Sequence, residues 1–345
     1  MIAQKDSDRR RTADIESIPD PSPRVCDGIL DAIGNTPLIH LRRYFPANRF
    51  RLYVKLEGVN PGGSIKDRPA IWILEHGMRT GALRPGAVVI ESSSGNMGIG
   101  LAQACRFYGL RFICVVDPKA TDINLKVLRA YGAEIEYVLE PDPASGEFLQ
   151  ARIRRVQELL GQIEGSFWPN QYANTRNSDA HYYTMREVAM ALDGKIDFLF
   201  LPTSTCGTLR GCSEYIRENG LHTRVIAVDA VGSLIFSNVQ AKRMIPGLGA
   251  GLRPPLCETS LIDDCVHVTD LDCVVGCRRL MKREAILSGG SSGGVLSAIE
   301  IVGERIPDAA VVVAILPDRG ERYLDTLFSD EWIREQIGTV DLERL

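Results

Sequence analysis

Short apolar runs rich in β-branched residues alternate with helical patterns along most of the chain. The predicted strands are 51–57, 87–93, 111–117, 134–140, 196–204, 224–230, 265–270 and 310–318. Strands that are apolar along nearly their whole length and alternate with helices are typical of parallel sheets covered on both faces. We therefore predict an α/β fold. Because the strands are too many for one compact sheet, we expect two three-layer α/β/α domains with mainly parallel sheets.

The composition excludes several classes of partner. A formal net charge of −4 over 345 residues argues against nucleic acid and against an anionic membrane surface. No apolar run approaches the ~18–20 residues of a membrane span. Nine cysteines without any C-x-x-C spacing predict reduced, mostly buried thiols, no metal centre and a cytoplasmic location. The polar residues 1–24 lack the pattern of a secretory signal and are predicted to form a disordered tail.

Four glycine-bearing corners fall at or near predicted strand ends or helix starts, and one of them contains a lone lysine, Lys66. The corners are NPGGSIKDR (60–68), SSSGNMG (92–98), PTSTCGTLRG (202–211) and SGGSSGG (288–294). Ligands of open α/β sheets bind beyond the carboxyl ends of the strands, and a helix start offers N–H groups to an anion. Each corner alone is also typical of an ordinary turn or helix cap. Four corners together with one isolated lysine favour pyridoxal phosphate, which needs an amine and a phosphate site.

An ordered series of motifs resembles one known family. The series is IGNTPLIHL, NPGGSIKDRPA, ESSSGNMGIGLA, NQYAN, PTSTCGTLRG, PGLGAG, GGSSGG and ILPDRGERYLDTLFSDEW. Over about residues 27–332 the chain is similar to the fold-type II pyridoxal-phosphate enzymes, the cysteine synthase and cystathionine β-synthase group. The resemblance implies a tryptophan-synthase-β-like fold, with a cofactor domain of residues 25–57 plus 166–345. It also implies a smaller domain of residues 58–165, a mobile cap at about 111–160, and a homodimer.

The resemblance assigns roles to particular residues. Lys66 matches the lysine that forms a Schiff base with the cofactor and then removes the substrate α-proton. Asn96 matches the residue that hydrogen-bonds the phenolic oxygen of the cofactor, and Ser291 matches the one that faces its pyridine nitrogen. The implied phosphate cradle is Ser204, Thr205, Cys206, Gly207 and Thr208. The implied loop for the substrate carboxylate is Ser92, Ser93, Ser94, Gly95 and Met97, together with Asn96.

Two departures from the family pattern fall in these loops. The cradle is usually Gly-Thr-Gly-Gly-Thr, so two glycines are replaced, and we expect a tighter cradle that binds through N–H groups and hydroxyls. Cys206 is expected to be a small loop residue rather than a redox thiol. Met97 stands where the family has threonine, so a hydroxyl contact is lost there while backbone contacts remain.

The chain is similar to the branch of this group that leads to 2,3-diaminopropionate for siderophores or peptide natural products. The segments that carry this similarity are CVVDPK, EPDPASGEFLQARIRRVQELL, WPNQYAN, STCGT and LPDRGERYLDTLFSDEW. The similarity implies a transferase that performs β-replacement through an α-aminoacrylate. O-phospho-L-serine and L-glutamate would give N-(2-amino-2-carboxyethyl)-L-glutamate and phosphate.

Recognition of the small-molecule amino-acid substrates is predicted from charge. A phosphate leaving group and a dicarboxylate nucleophile both require cations near the site. The candidates are Arg253, Arg210 and Lys119, and Arg253 is preferred because it follows a glycine-rich loop. Gln171 of NQYAN is expected to line the pocket. ERYLD (321–325) is expected to start a structural helix.

Two alternative functions stay open at the level of sequence. One is a cysteine synthase that uses O-acetylserine or O-phosphoserine with sulfide. The other is a non-catalytic module with the same fold that regulates or scaffolds a partner. The presence of Lys66, Asn96 and Ser291 argues against the module.

Overall fold

The computed structural model describes residues 25–45, 49–144, 146 and 148–338. Its strands are β1 (Leu38–His40), β2 (Arg51–Leu56), β3 (Val88–Ser92), β4 (Arg111–Val116), β5 (Glu134–Tyr137), β6 (Phe198–Pro202), β7 (Arg224–Ala230), β8 (Asp264–Val268) and β9 (Val311–Leu316). Its α-helices are α1 (Asp67–Arg79), α2 (Asn96–Tyr108), α3 (Asp122–Ala130), α4 (Phe148–Gln162), α5 (Arg176–Ala191), α6 (Gly207–Glu218), α7 (Asp270–Glu284), α8 (Gly290–Ile301) and α9 (Asp330–Gln336). The tail predicted for residues 1–24 lies outside the described residues.

The strands form a large and a small sheet. The large sheet has the order β1-β2-β9-β6-β7-β8, and the small sheet has the order β3-β4-β5. β1 runs antiparallel to β2, while the other paired strands are parallel. Parallel neighbours need crossover connections, which helices supply here. The predicted α/β class with mainly parallel sheets is confirmed. The domain boundaries and the mobile cap stay predictions.

Strand β9 shows why the large sheet is apolar on both faces. Val312, Ala314 and Leu316 belong to one apolar cluster, whereas Val313 and Ile315 belong to another. Successive residues of a strand point to opposite faces, so clusters cover β9 on both sides. All of β9 is buried, which explains why the sequence shows an uninterrupted apolar run there.

The small sheet is covered on both faces in the same way. Val89 of β3 belongs to the cluster that includes Leu101 of α2. Its neighbours Val88 and Ile90 pack instead in a cluster with Val156 of α4. Helix α4 therefore lies on one face of the small sheet, and α2 lies on the other.

The short strand β1 and the helices α1 and α9 were not among the sequence predictions. Helix α1 contains Pro69 in its first turn, where the N–H groups have no intrahelical partner in any case. The proline therefore does not interrupt the helix. Ala70, Ile73 and Leu74 are buried and pack it against its neighbours.

A buried cluster of charges ties α1 to the large sheet. Arg68 of α1 donates to Glu57, at the end of β2, with an Nε–Oε2 distance of 2.7 Å. Arg68 also donates to Glu187 of α5, with an Nη1–Oε1 distance of 2.6 Å. Lys55 of β2 donates to the other Glu187 oxygen at 2.5 Å. These four side chains are between 0% and 14% exposed, so two cations compensate two carboxylates away from water. The cluster fixes the start of α1, which follows Lys66 directly.

Among the residues described, no helix combines the length and the apolar character that crossing a membrane requires.

Candidate active site

Lys66 lies in a loop that is held against the end of strand β9. The Ile65 N–H donates to the Pro317 carbonyl at 2.7 Å. Ser64 and Asp318 form an isolated antiparallel bridge beside this contact. The loop that carries Lys66 is therefore fixed to the carboxyl end of a central strand, where open α/β sheets bind their ligands.

The side-chain amine of Lys66 is available for chemistry. No residue in the described part of the chain forms a hydrogen bond or ion pair with its Nζ. Burial lowers the pKa of Lys66 to about 8, and the nearby Cys206 and Asp318 act in the opposite direction. A pKa of about 8 leaves a useful fraction of neutral, nucleophilic amine near pH 7.

The predicted carboxylate loop connects β3 to α2. Strand β3 ends at Ser92 and α2 begins at Asn96, so residues 93–95 form a tight turn at a helix start. The Ser93 hydroxyl accepts a hydrogen bond from the Gly98 N–H at 3.1 Å. Asn124 of α3 donates to the Ser94 carbonyl at 3.1 Å. These bonds hold the loop at the start of α2, where N–H groups without an intrahelical partner are the kind of group that binds an anion.

Met97 differs from the rest of this loop. Its side chain is 2% exposed and belongs to the apolar cluster of the small sheet. Only its backbone can therefore face a ligand, as expected from the loss of a threonine hydroxyl at this position.

The predicted phosphate cradle lies between β6 and α6. Helix α6 begins at Gly207, and Cys206 precedes it with a φ of +63°, in the left-handed region. This conformation costs a residue with a Cβ about 1–2 kcal/mol relative to the right-handed one. The Cys206 side chain is buried in a small cluster with Ile235 and Leu256, and this packing offsets the strain. The cradle thus keeps the left-handed corner that glycine would supply, although Cys206 occupies it.

The surroundings of Gly207 show how closely the cradle is packed. A Cβ at Gly207 would lie 2.4 Å from Asn177 Oδ1. Asn177 donates to the Thr205 hydroxyl at 3.3 Å and to the Gln171 carbonyl at 2.7 Å. Gln171 in turn donates through Nε2 to the Ser92 carbonyl at 3.3 Å. The cradle, the NQYAN segment and the carboxylate loop therefore form one connected wall.

Ser291 lies in the first turn of α8 and is 4% exposed. The preceding loop is joined to the end of β9, because the Gly289 N–H and the Ser288 hydroxyl both donate to the Asp318 carbonyl. Ile245 packs against the same helix start, where a Cβ at Gly290 would lie 2.5 Å from Ile245 Cγ2. All four predicted corners thus meet at one edge of the structure.

The cations predicted for the substrate have other partners. Arg210 pairs with Glu214 within α6, with an Nε–Oε1 distance of 2.9 Å. Arg253 is exposed, and its Nε donates to the Ile235 carbonyl at 2.8 Å. Lys119 is exposed, and its Nζ lies 5.3 Å from the centre of the Phe148 ring. Contact of these three residues with a substrate stays a prediction.

Two arginines that the sequence analysis missed lie near the NQYAN segment. Arg152 of α4 is 14% exposed and pairs with Asp117, with an Nε–Oδ2 distance of 3.1 Å. Burial raises the pKa of Tyr172, and the nearby guanidinium groups of Arg152 and Arg243 oppose that rise. Arg152 comes from α4, which packs on the small sheet, and Arg243 from the segment between β7 and β8, so two separate segments contribute positive charge to the surroundings of Tyr172.

Helical spacing could have revealed Arg152. It stands four residues before Val156 and seven before Leu159, both of which are buried. Residues at this spacing share one face of a helix. Arg152 therefore lies on the inward side of α4, whereas Arg155 forms ion pairs on the partly exposed side with Glu136 and Glu158.

A buried carboxyl group joins this region to the carboxylate loop. Glu91 of β3 accepts hydrogen bonds from the N–H groups of Ser92 (2.8 Å) and Gln171 (3.1 Å). It also accepts one from Trp168 Nε1 at 3.2 Å. Burial raises the pKa of Glu91 to about 7, and the three donors and Arg152 oppose this effect. The position of the NQYAN segment therefore depends on Glu91.

Comparison with known proteins identifies the family. The family model described as "Pyridoxal-phosphate dependent enzyme" matches residues 29–318. The chain belongs to the pyridoxal-phosphate-dependent enzymes. The predicted family, enzyme class and cofactor are thereby confirmed.

Individual members of this family resemble the chain over most of its length. It is 47% identical to N-(2-amino-2-carboxyethyl)-L-glutamate synthase of Ralstonia nicotianae over 310 residues, which cover 90% of this chain and 91% of that protein. Among solved structures it is similar to O-ureido-L-serine synthase, with a TM-score of 0.83, 30% identity, and coverage of 93% of this chain and 99% of that one. It is also similar to a hydrogen sulfide-producing enzyme from Fusobacterium nucleatum, with a TM-score of 0.81, 31% identity, and coverage of 88% and 100%.

The residues at this edge fit the cofactor of a pyridoxal-phosphate-dependent enzyme. Lys66 offers an amine without a partner in the described structure, and the start of α6 offers N–H groups for a phosphate. Asp318 Oδ1 is buried and has no hydrogen-bond partner among the described residues. When bound, pyridoxal phosphate supplies an aldehyde that forms a bond with an amine. Its ring withdraws electrons from the bonded amino compound.

Proposed function

We propose that this enzyme converts O-phospho-L-serine and L-glutamate to N-(2-amino-2-carboxyethyl)-L-glutamate and phosphate. The product is the one in the name of the Ralstonia nicotianae relative, and the substrates are those that the sequence resemblance implies. In the reaction, phosphate leaves Cβ of phosphoserine, and the amine of glutamate forms a new bond to that carbon. We place this reaction on a route to 2,3-diaminopropionate for a siderophore or peptide natural product, catalysed by a cytoplasmic homodimer.

The roles that we propose for the cofactor-binding residues are those that the sequence resemblance implies, and their positions at one edge of the structure support them. Lys66 holds the cofactor and, once displaced by the substrate, removes the α-proton through its free amine. Residues 204–208 hold the phosphate group through N–H groups and hydroxyls at the start of α6. Asn96 donates to the phenolic oxygen. Ser291 is neutral, so it does not keep the ring nitrogen protonated as a carboxylate would, which favours loss of a β-substituent over transamination.

The proposed substrate contacts begin at the carboxylate loop. The loop of residues 92–97 holds the α-carboxylate through N–H groups at the start of α2. Gln171 lines the pocket next to it, because it donates to the Ser92 carbonyl. Arg253 and Arg210 remain further proposed contacts for the charged groups of the substrates.

One observation carries the choice of an anionic substrate. The guanidinium groups of Arg152 and Arg243 both act electrostatically on Tyr172, whose neighbour Gln171 is hydrogen-bonded to the carboxylate loop. A site for sulfide and a neutral ester would not need such charge, whereas a phosphate and a dicarboxylate do. We propose that Arg152 binds the phosphate of phosphoserine.

Mass spectrometry of the products tests the proposed reaction. Purified enzyme with added cofactor is incubated with phosphoserine and, separately, with glutamate, aspartate, glutamine or sulfide. We expect the adduct of glutamate to be the main product, with little adduct from glutamine because it lacks the second carboxylate. Cysteine from sulfide without any glutamate adduct would support the cysteine synthase alternative, and no product from any pair would support the non-catalytic module.

Substitution of Arg152 tests the anion site. We expect Arg152→Gln to raise the KM for phosphoserine by about tenfold or more, because a charged hydrogen-bond donor to the phosphate is lost. The KM for O-acetylserine, which lacks the phosphate, should change much less. Steady-state kinetics with both donors measures the difference.

Arg155→Gln is the matched control for this substitution. It removes an arginine from the same helix, but one that forms ion pairs away from Tyr172, and it should leave both KM values near those of the wild type. An equal rise for phosphoserine and O-acetylserine in Arg152→Gln would contradict a phosphate contact.

A further inference from the structure

Asp318, for which no role was predicted, lies at the centre of the candidate site. It follows β9 directly and is 3% exposed. Its carbonyl accepts hydrogen bonds from the Ser288 hydroxyl at 2.8 Å and from the Gly289 N–H at 3.3 Å. Ser64, two residues before Lys66, pairs with Asp318 as an isolated bridge. The backbone of Asp318 is therefore fixed independently of its side chain.

The carboxylate of Asp318 reaches a third corner, the carboxylate loop. Its Oδ2 accepts from Asn96 Nδ2 at 2.7 Å and from the Tyr323 hydroxyl at 2.5 Å. On the other side of the same amide, Arg322 donates to Asn96 Oδ1 and to the Gly62 carbonyl. Both ends of the Asn96 amide are thus held by charged partners.

These partners determine which way the Asn96 amide points. A carboxylate accepts hydrogen bonds only, and a guanidinium donates only. Rotating the amide by 180° would turn its oxygen toward the Asp318 carboxylate and its NH₂ toward Arg322, so both hydrogen bonds would be replaced by repulsive contacts. The orientation of Asn96 is therefore imposed by Asp318 and Arg322. One N–H of the amide is bonded to Asp318, which leaves the second for Tyr323 or, in its place, for a ligand.

We propose that Asp318 and Arg322 are positioning residues that hold Asn96 as a hydrogen-bond donor toward the phenolic oxygen of the cofactor. We call this arrangement the amide clamp. The inference deepens the proposed site and rests on the assignment of Asn96 there. The clamp also explains why residue 289 is a glycine, since a Cβ at that position would lie 2.1 Å from Asp318 Oδ1.

A double-mutant cycle tests whether Asp318 acts through Asn96. The proteins are the wild type, Asn96→Ala, Asp318→Ala and the double variant, each loaded with pyridoxal phosphate and without substrate. The readouts are the dissociation constant of the cofactor and the wavelength of its visible absorption band. We expect each single variant to weaken cofactor binding by about tenfold or more and to shift the band in the same direction. The double variant should bind no more weakly than Asn96→Ala alone.

Losses that multiply in the double variant would overturn the clamp, because a residue with a merely structural role acts independently of Asn96. An Asn96→Ala protein with unchanged affinity and band would overturn both the clamp and the assigned role of Asn96. Asp325→Ala is the matched control, since it removes an exposed carboxylate from the same segment and should change neither readout.

A second cycle with Arg322→Met keeps the inference testable if Asp318→Ala does not fold. Arg322 holds the opposite end of the amide, so the same non-additive pattern is expected with Asn96→Ala. Because these measurements use no substrate, their results can be interpreted even if the proposed reaction is wrong. Conversely, formation of the glutamate adduct together with additive losses would refute the clamp and leave the reaction in place.

Discussion

Replacing Lys66 by alanine is expected to reduce product formation by about 10³-fold or more, because it removes the amine that we propose both to bond the cofactor and to act as the base for the α-proton. Lys195→Ala is the matched control, since Lys195 is exposed. Borohydride reduction followed by peptide mass spectrometry measures the covalent bond directly. The wild type and the control should carry one reduced cofactor on the peptide that contains residue 66, and Lys66→Ala should carry none. A cofactor found on another lysine of the wild type would contradict the assignment.

The pH dependence of this covalent capture follows from the environment of Lys66. Burial lowers the pKa of the amine to about 8 from its ordinary value of 10.5. The neutral fraction is then about one tenth at pH 7 and about one half at pH 8. The rate at which the cofactor-free enzyme captures the cofactor should therefore rise with pH through about 8 and level off above it. A profile centred near 10.5 would show that the amine is solvated.

Replacing Arg68 by methionine is expected to lower the free energy of unfolding by about 3–5 kcal/mol, because it leaves Glu57 and Glu187 with too little compensating charge in the interior. Burial by itself would raise the pKa of Glu57, but Arg68, together with Lys55 and Thr36, holds that pKa below its ordinary value. Methionine keeps much of the side-chain volume, so the loss of charge dominates. Urea unfolding followed by circular dichroism measures the change.

Arg111→Met is the control for this second substitution. Arg111 also pairs with a carboxylate, Glu134, but both side chains are more than half exposed. Water and salt screen such a pair, so its removal should leave the unfolding midpoint nearly unchanged. Equal effects of the two substitutions would show that the buried cluster around Arg68 contributes no more than a surface pair.

Features that depend on local pattern could be predicted from the chain. The eight predicted strands all occur, and the signal is clearest in β3 and β9, which are buried along their whole length and are therefore mostly apolar. The four glycine-bearing corners also meet at one edge, since the carboxyl ends of parallel strands share an edge. Strand β1 was missed because it has three residues and no residue of it is fully buried, so it shows no clear period.

Features that depend on distant partners could not be predicted in this way. Asp318 and Asn96 are 222 positions apart, and Arg322 and Asn96 are 226 apart. ERYLD was expected to start a structural helix, and a short 3-10 helix (Gly320–Tyr323) does form there. That turn also brings Arg322 and Tyr323 to the site, which no local pattern indicates.

The arginines near the site show the same limit of sequence-based prediction, because the sequence does not indicate which of several arginines faces a substrate. Sequence position favoured Arg253, which follows a glycine-rich loop. The structure shows that Arg253 is exposed, so its contact with a substrate stays a prediction, and it shows that Arg152 and Arg243 act electrostatically on Tyr172. A charged residue that is near a motif in the sequence is weak evidence for a substrate contact. The direction of its side chain depends on which face of its helix, strand or loop is buried.

The sequence by itself determined the α/β class, the family and the cofactor, and it singled out Lys66 as the proposed amine for that cofactor. The class follows from backbone periodicity, whereas the family and the cofactor follow from motifs that the chain shares with known enzymes. Only the tertiary structure decided which groups surround that chemistry: the charge cluster around Arg68, the two arginines near Tyr172 and the clamp on Asn96. The physical reason is that burial and hydrogen bonds between side chains depend on contacts between segments far apart in the chain. These contacts determine the protonation state, orientation and pKa of each side chain in the site.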